Sequence, residues 1–162
     1  MSSSSPCAMF VYGTLKRGYL RESIWPKIPG SVVPAVIQAD LYDLGPYPAI
    51  SKGEGWVIGE LWHFDPSEMI LTLAVLDEAE GYNQPGSPDY YIRNIVTATT
   101  LDGKCEKAFA YFLNHQRDQN SIRRIEPSIQ FDGKCCAQWP DSLCRVPRCL
   151  IEERALEVAS SK

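Results

Sequence analysis

Glu80 is the residue of this 162-residue chain whose type and position best suit it to proton chemistry. Met69, Leu73, Leu76 and Glu80 fall at helical spacing, so the carboxyl extends an apolar stripe and points toward a core. It stands in the last turn, where the negative end of the helix dipole disfavours a carboxylate. Asp77 and Glu78 add like charge nearby. Burial, dipole and like charge all push the pKa of Glu80 upward. A carboxyl tuned in this way exchanges a proton with an amine near neutral pH. The plain alternative is a side chain that bends out to solvent at a fraying helix end.

The second candidate is Tyr12-Gly13-Thr14-Leu15-Lys16-Arg17-Gly18. A glycine directly after a strand lets backbone N–H groups turn toward a ligand, and such nests hold carboxylates or oxyanions. Lys16 and Arg17 add positive charge. Read by itself the run is also an ordinary strand-to-loop turn, and it lacks the spacing of a phosphate-binding Walker loop. Cys135, Cys136, Cys144 and Cys149 invite a zinc reading. Their spacing is not that of paired CxxC ligands, and the expectation is no metal. His63 and His115 are isolated, and no Ser-His-Asp or Cys-His pattern stands out.

Strand-forming segments must position these groups. Ala8 to Tyr12 reads as a first strand, Val32 to Leu44 as a second and Trp56 to Phe64 as a third, with a turn forced by Gly45-Pro46-Tyr47-Pro48. Asp65, Pro66 and Glu68 form a capping signature for the helix that carries Glu80, and Gly81 stands where a left-handed cap belongs. Tyr90 to Thr100 and Glu106 to Leu113 read as a hairpin around Asp102-Gly103. Past Asn114 the pattern weakens, apart from a helix-like run over Cys149 to Val158. The order is strand-rich with one clear helix and no βαβ alternation, which favours a small barrel or an α+β layer. The expected division is a disordered segment over residues 1–7, a domain over 8–113 and an appendage over 114–162.

A net charge of −4 gives no reason to expect nucleic acid or an anionic membrane as partner. The N-terminus lacks a secretory pattern, and no apolar run approaches membrane-spanning length, so a cytoplasmic protein with mostly free thiols is expected.

The run Val11 to Gly18 resembles the N-terminal signature of the gamma-glutamylcyclotransferase-like superfamily. Leu76-Asp77-Glu78-Ala79-Glu80-Gly81-Tyr82 is similar to its Leu-Asp-x-x-Glu-Gly segment, and Tyr47-Pro48-Ala49, Tyr91-Ile92-Arg93 and Ala110-Tyr111 resemble further pieces in the right order. The gamma-glutamylamine cyclotransferase branch is the nearest in kind. The resemblance implies an α+β fold, a small mixed β-barrel with flanking helices. It implies cyclisation of a small-molecule gamma-glutamyl substrate to 5-oxoproline with release of an amine, without metal or cofactor. Glu80 would be the catalytic acid and base, and Tyr12, Gly13, Thr14, Leu15, Tyr47, Tyr91 and Tyr111 would bind substrate. Tyr82 to Asp89 makes a longer loop than that pattern calls for, on the leaving-group side. The competing readings are a non-catalytic metabolite-binding domain with the same pocket, and an adaptor working through the Cys/Pro-rich tail.

Overall fold

The computed structural model describes residues 5–13, 15–16, 20–44, 47–114, 122–131 and 133–139. Strand β1 (Ala8–Val11) is buried on both faces and sets the plan of the molecule. Because side chains alternate along a strand, Ala8, Phe10 and Tyr12 enter one core while Met9 and Val11 enter another. The first core is the inside of a barrel. The second lies between the barrel wall and a helix.

The barrel closes through five strands. β1 pairs antiparallel with β3 (Pro48–His63), β3 with β2 (Ser31–Asp43), β2 with β4 (Tyr91–Thr100) and β4 with β5 (Cys105–Leu113). A parallel contact of Met9 with Phe109 joins β5 back to β1, so the sheet is mixed and these strands complete a ring. A barrel of so few strands has little room inside, and its interior is filled by side chains. Ala35, Ala39, Ala98, Ala108 and Ala110 interleave there with Phe10, Ile37, Leu41, Leu61 and Phe112. Small and large residues thus share a narrow lumen.

Helix α1 (Met69–Glu80) lies against the outer side of β1 and β5, burying Met69 and Leu76 against Met9, Val11, Phe109 and Tyr111. Its start follows the sequence closely. Asp65 accepts from the Ser67 amide, Glu68 reaches back to the Asp65 amide, and Pro66 opens a 3-10 turn that leads into the helix. Its end is equally well specified. Gly81 adopts φ +66° and donates to Glu78 O, and Tyr82 donates to Asp77 O. This left-handed cap fixes where the last turn, with Glu80, must stop.

Two boundaries differ from the sequence reading. β3 begins at Pro48, eight residues before Trp56, because residues 48–51 pair with Asp40–Asp43 across the turn. Proline at the first position of a strand costs no ladder bond, and the polar run Ser51 to Glu54 hid the strand. Packing also continues past Leu113. β6 (Arg123–Arg124) adds to β2, and β7 (Ile129–Phe131) pairs with β8 (Lys134–Cys136) over Val36. Ile125, Ala137 and Trp139 enter the barrel core itself. These strands of two or three residues are too short to show a period. At the other end, within the segment expected to be disordered, the Cys7 carbonyl accepts from the Phe64 amide at 2.9 Å. The helix-like run over Cys149 to Val158 lies outside the described residues.

Candidate active site

The loop after β1 is held from three directions. Lys16 N donates to Gly13 O at 3.1 Å, Trp25 Nε1 to Leu15 O at 3.0 Å, and the buried Lys16 Nζ to Trp139 O at 2.7 Å. The Trp25 ring is itself clamped, stacking on Trp62 at 4.3 Å between centroids and on Phe64 at 5.4 Å. Gly13 tolerates no side chain, since a Cβ there would stand 2.7 Å from Pro48 Cγ. The Gly13 backbone therefore packs directly on Pro48, the first residue of β3. Lys16, expected to offer charge to a ligand, is spent inside instead, and burial pulls its pKa down to about 8 against the opposing pull of Glu60. Thr14 and Arg17 lie outside the described residues.

A cavity of about 30 Å³ opens beside this loop. Tyr12, Gly13, Leu15, Tyr47, Glu80, Tyr91 and Tyr111 all line it, together with Arg21. The structure thus gathers, from five separate segments, Glu80 and the described residues that the resemblance implies for substrate binding, while Lys16 is not among them.

Glu80 is 9% exposed and turned inward, as its place on the stripe requires. Burial raises its pKa, and Arg21 opposes that rise. The anticipated push from Asp77 is not what acts. Asp77 accepts from Arg93 Nη1 at 2.6 Å and from Tyr111 Oη at 2.6 Å. Its charge is answered there. Arg93 is correspondingly structural, paired with Asp77 and resting over the rings of Tyr82 and Phe109.

Arg21 is the cavity residue that the sequence reading missed. It comes from a 3-10 turn, Leu20–Ile24, whose five residues carry no period to mark a functional side chain. Its Nη2 donates to Ala79 O at 3.0 Å and lies 3.6 Å from Glu80 Oε1. A cation at the C-terminal end of a helix is favourably placed. The dipole that disfavours the Glu80 carboxylate is therefore met by a guanidinium.

The three tyrosines form walls, with their hydroxyl hydrogens given to internal acceptors. Tyr12 donates to Tyr111 O at 2.6 Å, Tyr91 to Pro48 O at 2.8 Å and Tyr111 to Asp77. Burial drives all three pKa values up, so they stay neutral across the physiological range. Tyr47 stands at the rim, 41% exposed.

The other candidates lie away from this cavity. His63 contacts Ser31 Oγ at 2.7 Å and pairs with Glu106 on the barrel surface. Cys135 and Cys136 are neighbours on β8 and face opposite ways, one exposed and one buried. Among the described residues no three His, Cys, Asp or Glu side chains gather as a metal site. His115, Cys144 and Cys149 lie outside the described residues. No described helix is long and apolar enough to cross a membrane.

The sequence profile of the family described as gamma-glutamyl cyclotransferase, AIG2-like, matches residues 9–131. The chain belongs to that family. The AIG2-like match runs through the loop, α1 and all five barrel strands, and continues past Leu113 to the end of β7. A crystal structure of YkqA from Bacillus subtilis shares the fold with a TM-score of 0.52 at 23% identity, covering 68% of this chain and 36% of that one. This chain therefore spans about a third of YkqA's length. A structure described as gamma-glutamyl cyclotransferase shares the fold with a TM-score of 0.51 at 18% identity, covering 75% of this chain and 72% of that one. A search of curated protein sequences finds no match. The family match and these two structures agree on the fold of this chain.

Proposed function

We propose that the chain cyclises a gamma-glutamyl group to 5-oxoproline and releases an amine, with Glu80 as acid and base. The observation that carries this reading is a buried carboxyl on the wall of a cavity, beside the backbone of Gly13. The substrate's own α-amine is the nucleophile, so the protein's task is to curl the glutamyl chain into attack geometry, where oriented intramolecular reactions gain several orders of magnitude.

The α-ammonium arrives with three protons. Glu80 takes one, and the freed lone pair attacks the γ-carbonyl carbon to form the ring C–N bond. As the bond to the leaving nitrogen breaks, Glu80 hands its proton to that nitrogen. The ring nitrogen gives up its second surplus proton through the same carboxylate, and that proton leaves with the amine product. One hydrogen remains on the ring nitrogen, and Glu80 ends ionised as it began. The backbone of residues 12–15 holds the glutamyl moiety and faces the charge that develops on the carbonyl oxygen. Tyr12, Tyr47, Tyr91 and Tyr111 enclose the chain.

Glu80→Gln keeps the shape and removes the proton acceptor. The experiment offers a panel of gamma-glutamyl amines to the native protein and to this variant and assays 5-oxoproline. Turnover in the variant should fall at least about 10²-fold with folding intact. A folded native protein that forms no 5-oxoproline from any member would favour a binding domain instead. A fully active Glu80→Gln variant would remove this residue from the chemistry.

A further inference from the structure

Among the described residues the cavity presents one buried carboxylate, Glu80, and one cation, Arg21, which is 20% exposed on its side chain. The two are close without being joined. At 3.6 Å their nearest atoms are beyond hydrogen-bond length. The firm bond of Arg21 is the one to the Ala79 carbonyl, and its guanidinium lies 5.7 Å from the centre of the Tyr47 ring at the cavity rim. A guanidinium offers five donors in a planar fork matched to a carboxylate held in bidentate fashion. Glu80, beside it, supplies no such contact.

A ligand that complements both groups carries an ammonium and a carboxylate close together. We propose that Arg21 anchors the α-carboxylate of the ligand while its α-amine faces Glu80, so that the site selects a free α-amino-acid head. This inference rests on the proposed cyclase reading and names the part of the substrate that is recognised. In the bound state Arg21 turns from Glu80 toward the incoming carboxylate. That exchange has a chemical consequence. Arg21 is the charge that restrains the upward shift of Glu80, and once it is engaged by the ligand Glu80 becomes the stronger base. Binding of the correct head thereby prepares the proton acceptor.

The test compares L-gamma-glutamyl ethylamide with its α-carboxamide, which keeps the amine and loses the negative charge. Calorimetric binding is read in the Glu80→Gln background, where turnover is slowed at least about 10²-fold, with and without Arg21→Met. The Arg21-containing protein should prefer the carboxylate by about 10- to 100-fold, the range of one charge-assisted pair. Arg21→Met should abolish that preference while leaving carboxamide affinity within about 3-fold, and Arg21→Lys should restore part of it. A purely structural role for Arg21, as a cap on α1, would weaken both ligands alike. That result, a preference that survives Arg21→Met, or binding of neither ligand overturns the proposal. Turnover by the protein with Glu80 intact is assayed separately. Carboxylate preference without any 5-oxoproline would leave the Arg21 anchor standing and sink the cyclase reading.

Discussion

Lys16 Nζ donates to the carbonyl oxygen of Trp139 at 2.7 Å, tying the loop after β1 to a residue 123 positions further along the chain. The bond runs from the loop beside the cavity to the barrel core, where Trp139 is fully buried. The segment after β5 therefore helps to hold the loop that borders the cavity.

Lys16 should leave a mark on the alkaline side of the stability profile. Burial lowers its native pKa from 10.5 to about 8. Between those values the unfolded chain keeps a proton that the native protein has released, so stability from this group rises with pH across the window. Below about 8 both states are charged and the contribution is flat. Urea midpoints at pH 7.5 and 10.5 should show Lys16→Met losing this rise, a relative difference of roughly 1–3 kcal/mol. Parallel profiles for the two proteins would show that Lys16 is not held as described.

Trp139→Ala should destabilise the whole barrel by about 3–5 kcal/mol, the range for deleting a large buried ring. It should also loosen the cavity loop, read as faster amide exchange at Leu15 and Lys16. An effect under about 1 kcal/mol would place residues 134–139 outside the folding unit.

Gly81→Ala should cost about 1–3 kcal/mol and lower activity more than a surface change of the same size. The backbone there is left-handed, and a Cβ would stand 2.6 Å from Tyr90 Cδ2. Relief of that clash moves the last turn of α1, and Glu80 moves with it. Thermal melting and kcat/KM on the same preparation check both halves.

Glu80→Gln should be more stable than the native protein at alkaline pH. Burial raises the Glu80 pKa above the ordinary 4.5. Between 4.5 and the raised value the native state holds a proton that the unfolded chain has lost, so stability falls as pH rises through that window. Glutamine carries no such loss. The melting advantage of Glu80→Gln should therefore be absent at pH 4 and grow toward pH 8. Under the proposed mechanism, native kcat/KM should fall on acidification through the same window, as Glu80 takes up a proton and can no longer accept one.

Residues adjacent in sequence determined the local features. The apolar stripe over Met69, Leu76 and Glu80, the capping box at Asp65 and the glycine at position 81 specify α1, its end and the inward direction of its carboxyl, because each acts within one or two turns. The alternation along β1 and the Asp102-Gly103 turn are equally local. Only the tertiary structure decided which charges meet. Asp77 is three residues from Glu80, yet its partners are Arg93 and Tyr111, brought to it by β4 and β5. Arg21 reaches Glu80 from 59 positions away, and Lys16 turns inward to Trp139. A side chain's ionic partner depends on which strands the barrel closes together, and no period or motif encodes that distance.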